Sequence, residues 1–158
     1  MKRFSNIRIL VLTIVLLLGA IPVAAVERPF ALRGNGLATF ITDGSGNVIG
    51  GNLIASGTAT HLGMWTAVGT VNFTPVPGNP TLLNASGSST FTAANGDKLE
   101  LILDDGTLDI TTAISTGHSH FAGGTGRFAG VSGSNSYVVT QNLVTGAFEL
   151  TAVGSIDF

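Results

Sequence analysis

Apolar and polar residues alternate along most of this chain. In Lys98–Asp104, Leu99, Leu101 and Leu103 fall on one side and Lys98, Glu100 and Asp104 on the other. Thr107–Ser115 sets Leu108, Ile110 and Ile114 against Asp109, Thr111 and Ser115, and Phe148–Phe158 repeats the alternation to its last residue. A period of two puts one set of side chains in a core and the other in water, so these segments read as half-buried strands. Beyond residue 25, no window carries apolar residues at helical spacing with caps, so the class is all-β.

The breaks between strands are legible too. "DGSGN" (Asp43–Asn47), "NGD" (Asn95–Asp97), "DDG" (Asp104–Gly106) and "NLVTG" (Asn142–Gly146) supply residues that tolerate positive φ and predict tight turns. "PVPGNP" (Pro75–Pro80) predicts a longer loop, because proline lacks the N–H a ladder needs. Eight strands result: Arg33–Thr42, Val48–Thr60, Met64–Thr74, Ser86–Ala93, Lys98–Asp104, Thr107–Ser115, Ser134–Gln141 and Ala147–Asp157. Short connections favour an antiparallel meander. Eight strands close into a small barrel that holds side chains or one small ligand, and closure removes exposed edges. A β-sandwich is the alternative. The interior Gly and Ala favour the more strongly curved barrel wall.

The first 25 residues stand apart. "MKRFSNIR" is basic, Ile9–Leu18 is uninterrupted apolar sequence, and Val23–Ala25 ends in small residues. This is the pattern of a secretory signal peptide cleaved after Ala25, leaving one domain over residues 26–158. The apolar run is too short for a spanning helix. All nine acidic residues but only four bases (Arg28, Arg33, Lys98, Arg127) follow Ala25, a net charge near −5. Nucleic acid is excluded as a partner by that balance. With no cysteine, disulfides, thiol catalysis and cysteine-bound metal are excluded. The expected location is secreted or periplasmic in a bacterium.

Candidate chemistry is sparse. "FAGGTGRFAGVSG" (Phe121–Gly133) contains G-x-G-x-x-A, a loose dinucleotide fingerprint. Pyrophosphate binding needs a helix directly after the glycines, whereas "VSGSNSYVVTQ" reads as strand, and no Lys-Ser/Thr follows for a P-loop. His118 and His120 would project from one face of a strand, about 6.6 Å apart, and with His61 would give three nitrogens for a metal. A cupin would add a Glu four or five residues on, where Gly124 and Thr125 stand. Exposed loop histidines are the expected reading, and no cofactor is expected. Asp104 and Asp105 should face opposite sides or sit in a turn, which argues against a paired-carboxylate hydrolase.

"GGTGRFAGVSGS", and "THLG" within "SGTATHLGMW" (Ser56–Trp65), resemble segments of the dirigent and allene oxide cyclase-like barrel superfamily, in its branch of small secreted bacterial proteins. The resemblance covers about a sixth of the chain and implies an eight-stranded antiparallel barrel. It makes Gly123, Gly124 and Gly126 bending points and sets Phe121 and Phe128 over the apolar interior. Arg127 is expected to pair with a carboxylate.

Three functions remain. The first is a binding module with a small apolar molecule in the barrel mouth, contacted by Arg127, Phe128, Phe121, Trp65 and His61. The second, implied by the resemblance, is a cofactor-independent cyclase or coupling protein, for which no catalytic residue carries over. Trimers are common in plant members, so a homo-oligomer is an expectation. The third is a small outer-membrane barrel, suggested by the alternating C-terminal strand and final Phe158. One Trp and one Tyr are too few for aromatic girdles, and strands as short as Lys98–Asp104 would not cross.

Overall fold

A computed structural model describes residues 26–158; the expected signal peptide lies outside the described residues. Eight strands close into an antiparallel barrel, each paired with its neighbours in sequence, β1 closing on β8. They are β1 (Glu27–Thr42), β2 (Val48–Ala59), β3 (Gly63–Val76), β4 (Asn79–Ala93), β5 (Lys98–Asp109), β6 (Ile114–Gly124), β7 (Ser132–Gln141) and β8 (Ala147–Asp157). The expected barrel, and not the sandwich, is the fold.

Closure follows from stagger. The first part of β1, Glu27 to Leu37, pairs with β8, while Leu32 to Thr42 pairs with β2. Offsetting the two partners along one long strand tilts the strands about the barrel axis and brings the sheet's ends together. Inward residues form two apolar clusters. One gathers Phe30, Trp65, Phe91, Leu99, Phe121 and Phe128. The other centres on Val71, Phe73, Ala85 and Leu108.

β1 and β4 begin earlier than expected, at Glu27 and Asn79, and two larger differences offset each other to leave the count at eight. "DDG" is not a turn. β5 runs through it to Asp109, with a register shift between Leu103 and Asp105. The reversal comes at residues 110–113, where no glycine marks it. The Asp109 carboxylate accepts hydrogen bonds from the Thr111 N–H (2.8 Å) and hydroxyl (2.6 Å), and Ala113 takes φ +58°. An Asx-type side chain thus replaces glycine chemistry. Ile110, expected in the core, is exposed beside this turn. "ISTGHSHFAGG", expected to leave strand geometry, is β6. One false split offsets one missed strand.

"PVPGNP" is likewise no long loop. Only Pro77 and Gly78 lie between β3 and β4, and Pro75 pairs with Leu83 next to a register shift. The prolines sit at the end of the hairpin beside an irregularity, a place that tolerates a missing N–H. The other three predicted turns occur where expected, with φ of +85°, +90° and +77° at Gly46, Gly96 and Gly146.

Some inward glycines make room for rings. A Cβ on Gly34 or Gly57 would collide with the Trp65 indole, and one on Gly106 or Gly117 with the Tyr137 hydroxyl. The glycine of "DDG" therefore serves packing beneath Tyr137.

Candidate functional site

One end of the barrel is plugged. The turns after β2, β4 and β6 meet there, and they carry the two segments singled out in the sequence. Residues 60–62 connect β2 to β3, with His61 at φ +64° and Gly63 at φ +70°. The "GGTGRF" segment ends β6 and forms a single 3-10 turn, Gly126–Phe128. Gly126 has φ +58°, and a Cβ there would strike the Asp97 carboxylate. The Thr125 N–H donates to the Lys98 carbonyl (2.8 Å), and the Lys98 N–H donates to the Thr125 hydroxyl (3.0 Å). This loop is stitched to the β4–β5 turn and leads into β7. It is not the strand–loop–helix unit that binds a dinucleotide phosphate.

Four of the five expected ligand contacts build this plug, and the fifth borders it. Phe128 is 0 % exposed, and Phe121, Trp65 and Leu62 are nearly as buried. Phe121 packs edge-on against Phe30 with centroids 4.9 Å apart, as does Trp65 against Phe91 at 4.9 Å. The Trp65 indole N–H has no hydrogen-bond partner among the described residues. Arg127 reaches over the end: its Nε is 3.7 Å from Asp97, its guanidinium 4.9 Å from the Phe128 ring centroid, and it donates to the Leu62 carbonyl at 3.5 Å. His61 sits outside, its Nε2 3.1 Å from the Pro29 carbonyl and its ring 5.4 Å from Phe158.

His118 and His120 stand on the outer wall of β6, not in a loop. His118 Nδ1 lies 2.9 Å from Asp105, and His120 Nδ1 lies 2.6 Å from Asp104. The irregularity in β5 explains both contacts. Strict alternation would send consecutive aspartates to opposite faces, but the register shift at Leu103/Asp105 leaves both exposed. Hydrogen bonds from the His118 side chain, and then from its backbone N–H, hold the Asp105 carboxyl below the usual carboxylate range. His61 is at the plugged end, away from this pair. Among the described residues, no three His, Cys, Asp or Glu side chains form a metal-binding group.

Above the plug lies a cavity of about 130 Å³. Its wall is largely apolar, built from inward side chains such as Leu53, Leu103, Val139, Phe148 and Leu150. Toward the far end, Phe40, Val48, Leu83 and Leu143 are only half-buried, so this end is the looser of the two. No charged side chain lines the cavity among the described residues. Thr70, Ser88, Ser89 and Gln141 add polar groups to its lining, but the buried polar residues cluster on two strands: Ser115 and Ser119 from β6, Asn135 and Tyr137 from β7. The Ser119 hydroxyl donates to Asn135 Oδ1 at 2.8 Å. Among the described residues, Asn135 Nδ2 and the Tyr137 hydroxyl make no hydrogen bond of good geometry, and the Ser115 hydroxyl lies beside that of Tyr137. Burial pushes the Tyr137 phenol above its ordinary 10.0; the nearby Ser115 hydroxyl opposes the shift and the Asp105 charge adds to it.

None of the five expected contact residues lines this cavity, and the polar four escaped sequence reading. Asn135 and Tyr137 share strand parity with Val139, so a polar residue on an inward face was the available signal. Ser119 gave none while its segment was read as loop, and Ser115 none because its expected strand turned Ile110 and Ile114 inward, whereas both are exposed and Ser115 is buried. Comparison with family models, curated proteins and solved structures returns no match.

Proposed function

We propose that the barrel binds a small apolar molecule in its interior, entering from the end opposite "GGTGRF". One observation carries this: the cavity has apolar walls and inward leucines left half-buried, between two packed clusters. At about 130 Å³, it is close in size to an engineered cavity of ~150 Å³ that takes up benzene. Concave, mostly apolar pockets with a few placed polar groups are the usual form of small-molecule sites. The binding residues are then Leu53, Leu103, Val139, Phe148 and Leu150, while Phe128, Phe121 and Trp65 close the floor and Arg127 and His61 flank it from outside. Cofactor-free cyclisation, implied by the resemblance to the dirigent and allene oxide cyclase-like barrels, would use the same cavity through its shape.

The outer wall supports a barrel that works in water. It carries exposed Arg33, Asn35, Thr66, Lys98, Glu100 and Thr151 among exposed aliphatic residues such as Leu37, Ile54, Ile102 and Val153, while the large aromatic residues of the core lie inside. A membrane barrel has the reverse polarity. Strand length does not separate the two, since the strands run from 10 to 16 residues and reach the ~9–11 needed for a crossing.

The test is a titration of the isotope-labelled 26–158 chain with toluene, followed by NMR. Saturable shifts at the methyls of Leu103, Val139 and Leu150 are expected. No shift at those methyls up to the solubility limit of toluene would overturn the reading.

A further inference from the structure

The cavity's polar corner specifies more than apolarity. Asn135 is 4 % exposed and Tyr137 is 7 % exposed. Buried polar groups in folded proteins almost always have partners, so two orphans on the wall of one cavity call for an explanation. Both can donate, Asn135 Nδ2 exclusively so and the Tyr137 hydroxyl as well as accepting. Asn135 Oδ1 is already occupied by the Ser119 hydroxyl, which leaves the Nδ2 hydrogens free. The Tyr137 phenol keeps its proton at neutral pH because burial disfavours the phenolate. Its ring is held across Gly106 and Gly117, which fixes where the hydroxyl sits. With no charged side chain on the wall, an anionic ligand group would be buried without a counter-charge.

We propose that the cavity selects an uncharged, roughly single-ring molecule bearing a hydrogen-bond acceptor oxygen, a ketone or an ether, received by Asn135 Nδ2 and the Tyr137 hydroxyl. This rests on the interior-binding reading above and adds the ligand's polar chemistry to it. A hydrocarbon of the same shape fills the space but leaves both donors unmet.

Two near-isosteric probes separate the claims: cyclohexanone and methylenecyclohexane, with cyclohexanecarboxylate as the charged control. Dissociation constants are measured by NMR on the wild type and on the Tyr137→Phe and Asn135→Leu variants. The wild type is expected to bind the ketone at least as tightly as the hydrocarbon and to reject the carboxylate. Each variant should move the ketone-to-hydrocarbon ratio about tenfold toward the hydrocarbon, the effect of one lost buried hydrogen bond. Hydrocarbon binding by each variant shows that its cavity is intact. If the hydrocarbon binds but the ketone is tenfold weaker in the wild type, with a ratio neither variant moves, the acceptor proposal fails and interior binding stands. If neither neutral probe binds, both fail.

Discussion

Replacing Phe128 by alanine tests whether "GGTGRF" is architecture. Phe128 is 0 % exposed and sits in the plug with Phe121, Leu62 and Val131. Removing a fully buried phenylalanine costs about 3–5 kcal/mol, from lost transfer energy and the void left behind. Domains of this size hold only ~5–15 kcal/mol in total. The melting temperature should therefore fall by roughly 15 °C, at about 4 °C per kcal/mol. Arg127 is the contrast. Its side chain is 45 % exposed, and its contact with Asp97 is 3.7 Å long. An exposed ion pair and a surface cation–π contact together contribute about 1 kcal/mol, so Arg127→Ala should shift the midpoint by only a few degrees. Both variants are measured by urea and thermal unfolding followed by circular dichroism. A loss below about 1 kcal/mol for Phe128→Ala, or a greater loss for Arg127→Ala than for Phe128→Ala, would refute the assignment of the motif to the plug.

Gly126→Ala should cost more than 1 kcal/mol in urea unfolding, since φ is +58° and the new Cβ meets Asp97; an unchanged midpoint would count against the turn as described. Asp105 has a folded pKa below the ordinary 3.8, so its contribution is fully present above that value and is lost as pH falls through the depressed one. Asp105→Asn should accordingly flatten the acid limb of a melting-temperature profile and leave the slope at neutral pH alone. Ala67→Leu, on the cavity wall, should abolish toluene binding while the barrel's circular dichroism spectrum is kept; undiminished affinity would place the ligand elsewhere.

The strand-forming character of the chain was legible because period-two alternation reports which face is buried. Barrel closure was legible because the strand count, short connections and small inward residues pointed the same way. Boundaries failed where one residue type serves two purposes. Gly106 looked like a turn residue because it follows two aspartates, yet its missing Cβ accommodates Tyr137 from a strand two positions along the barrel wall. The true reversal after Asp109 carries no glycine, because a carboxylate capping Thr111 does the work locally. The cavity was not legible for a related reason. The motif residues are conspicuous in sequence, but their bulk closes the floor. The cavity is defined by what inward side chains leave unfilled, a property of strands that meet only after closure. Ser119 and Asn135, 16 positions apart, become neighbours through the β6–β7 register, which alternation alone cannot supply.

A crystal of the 26–158 chain under xenon pressure tests the central claim most directly. The account predicts a xenon peak inside the barrel, ringed by Leu103, Val139 and Leu150 and separated from the Arg127 end by Phe121 and Phe128. An interior filled by side chains with no xenon peak, or a peak only at the "GGTGRF" end, would contradict it.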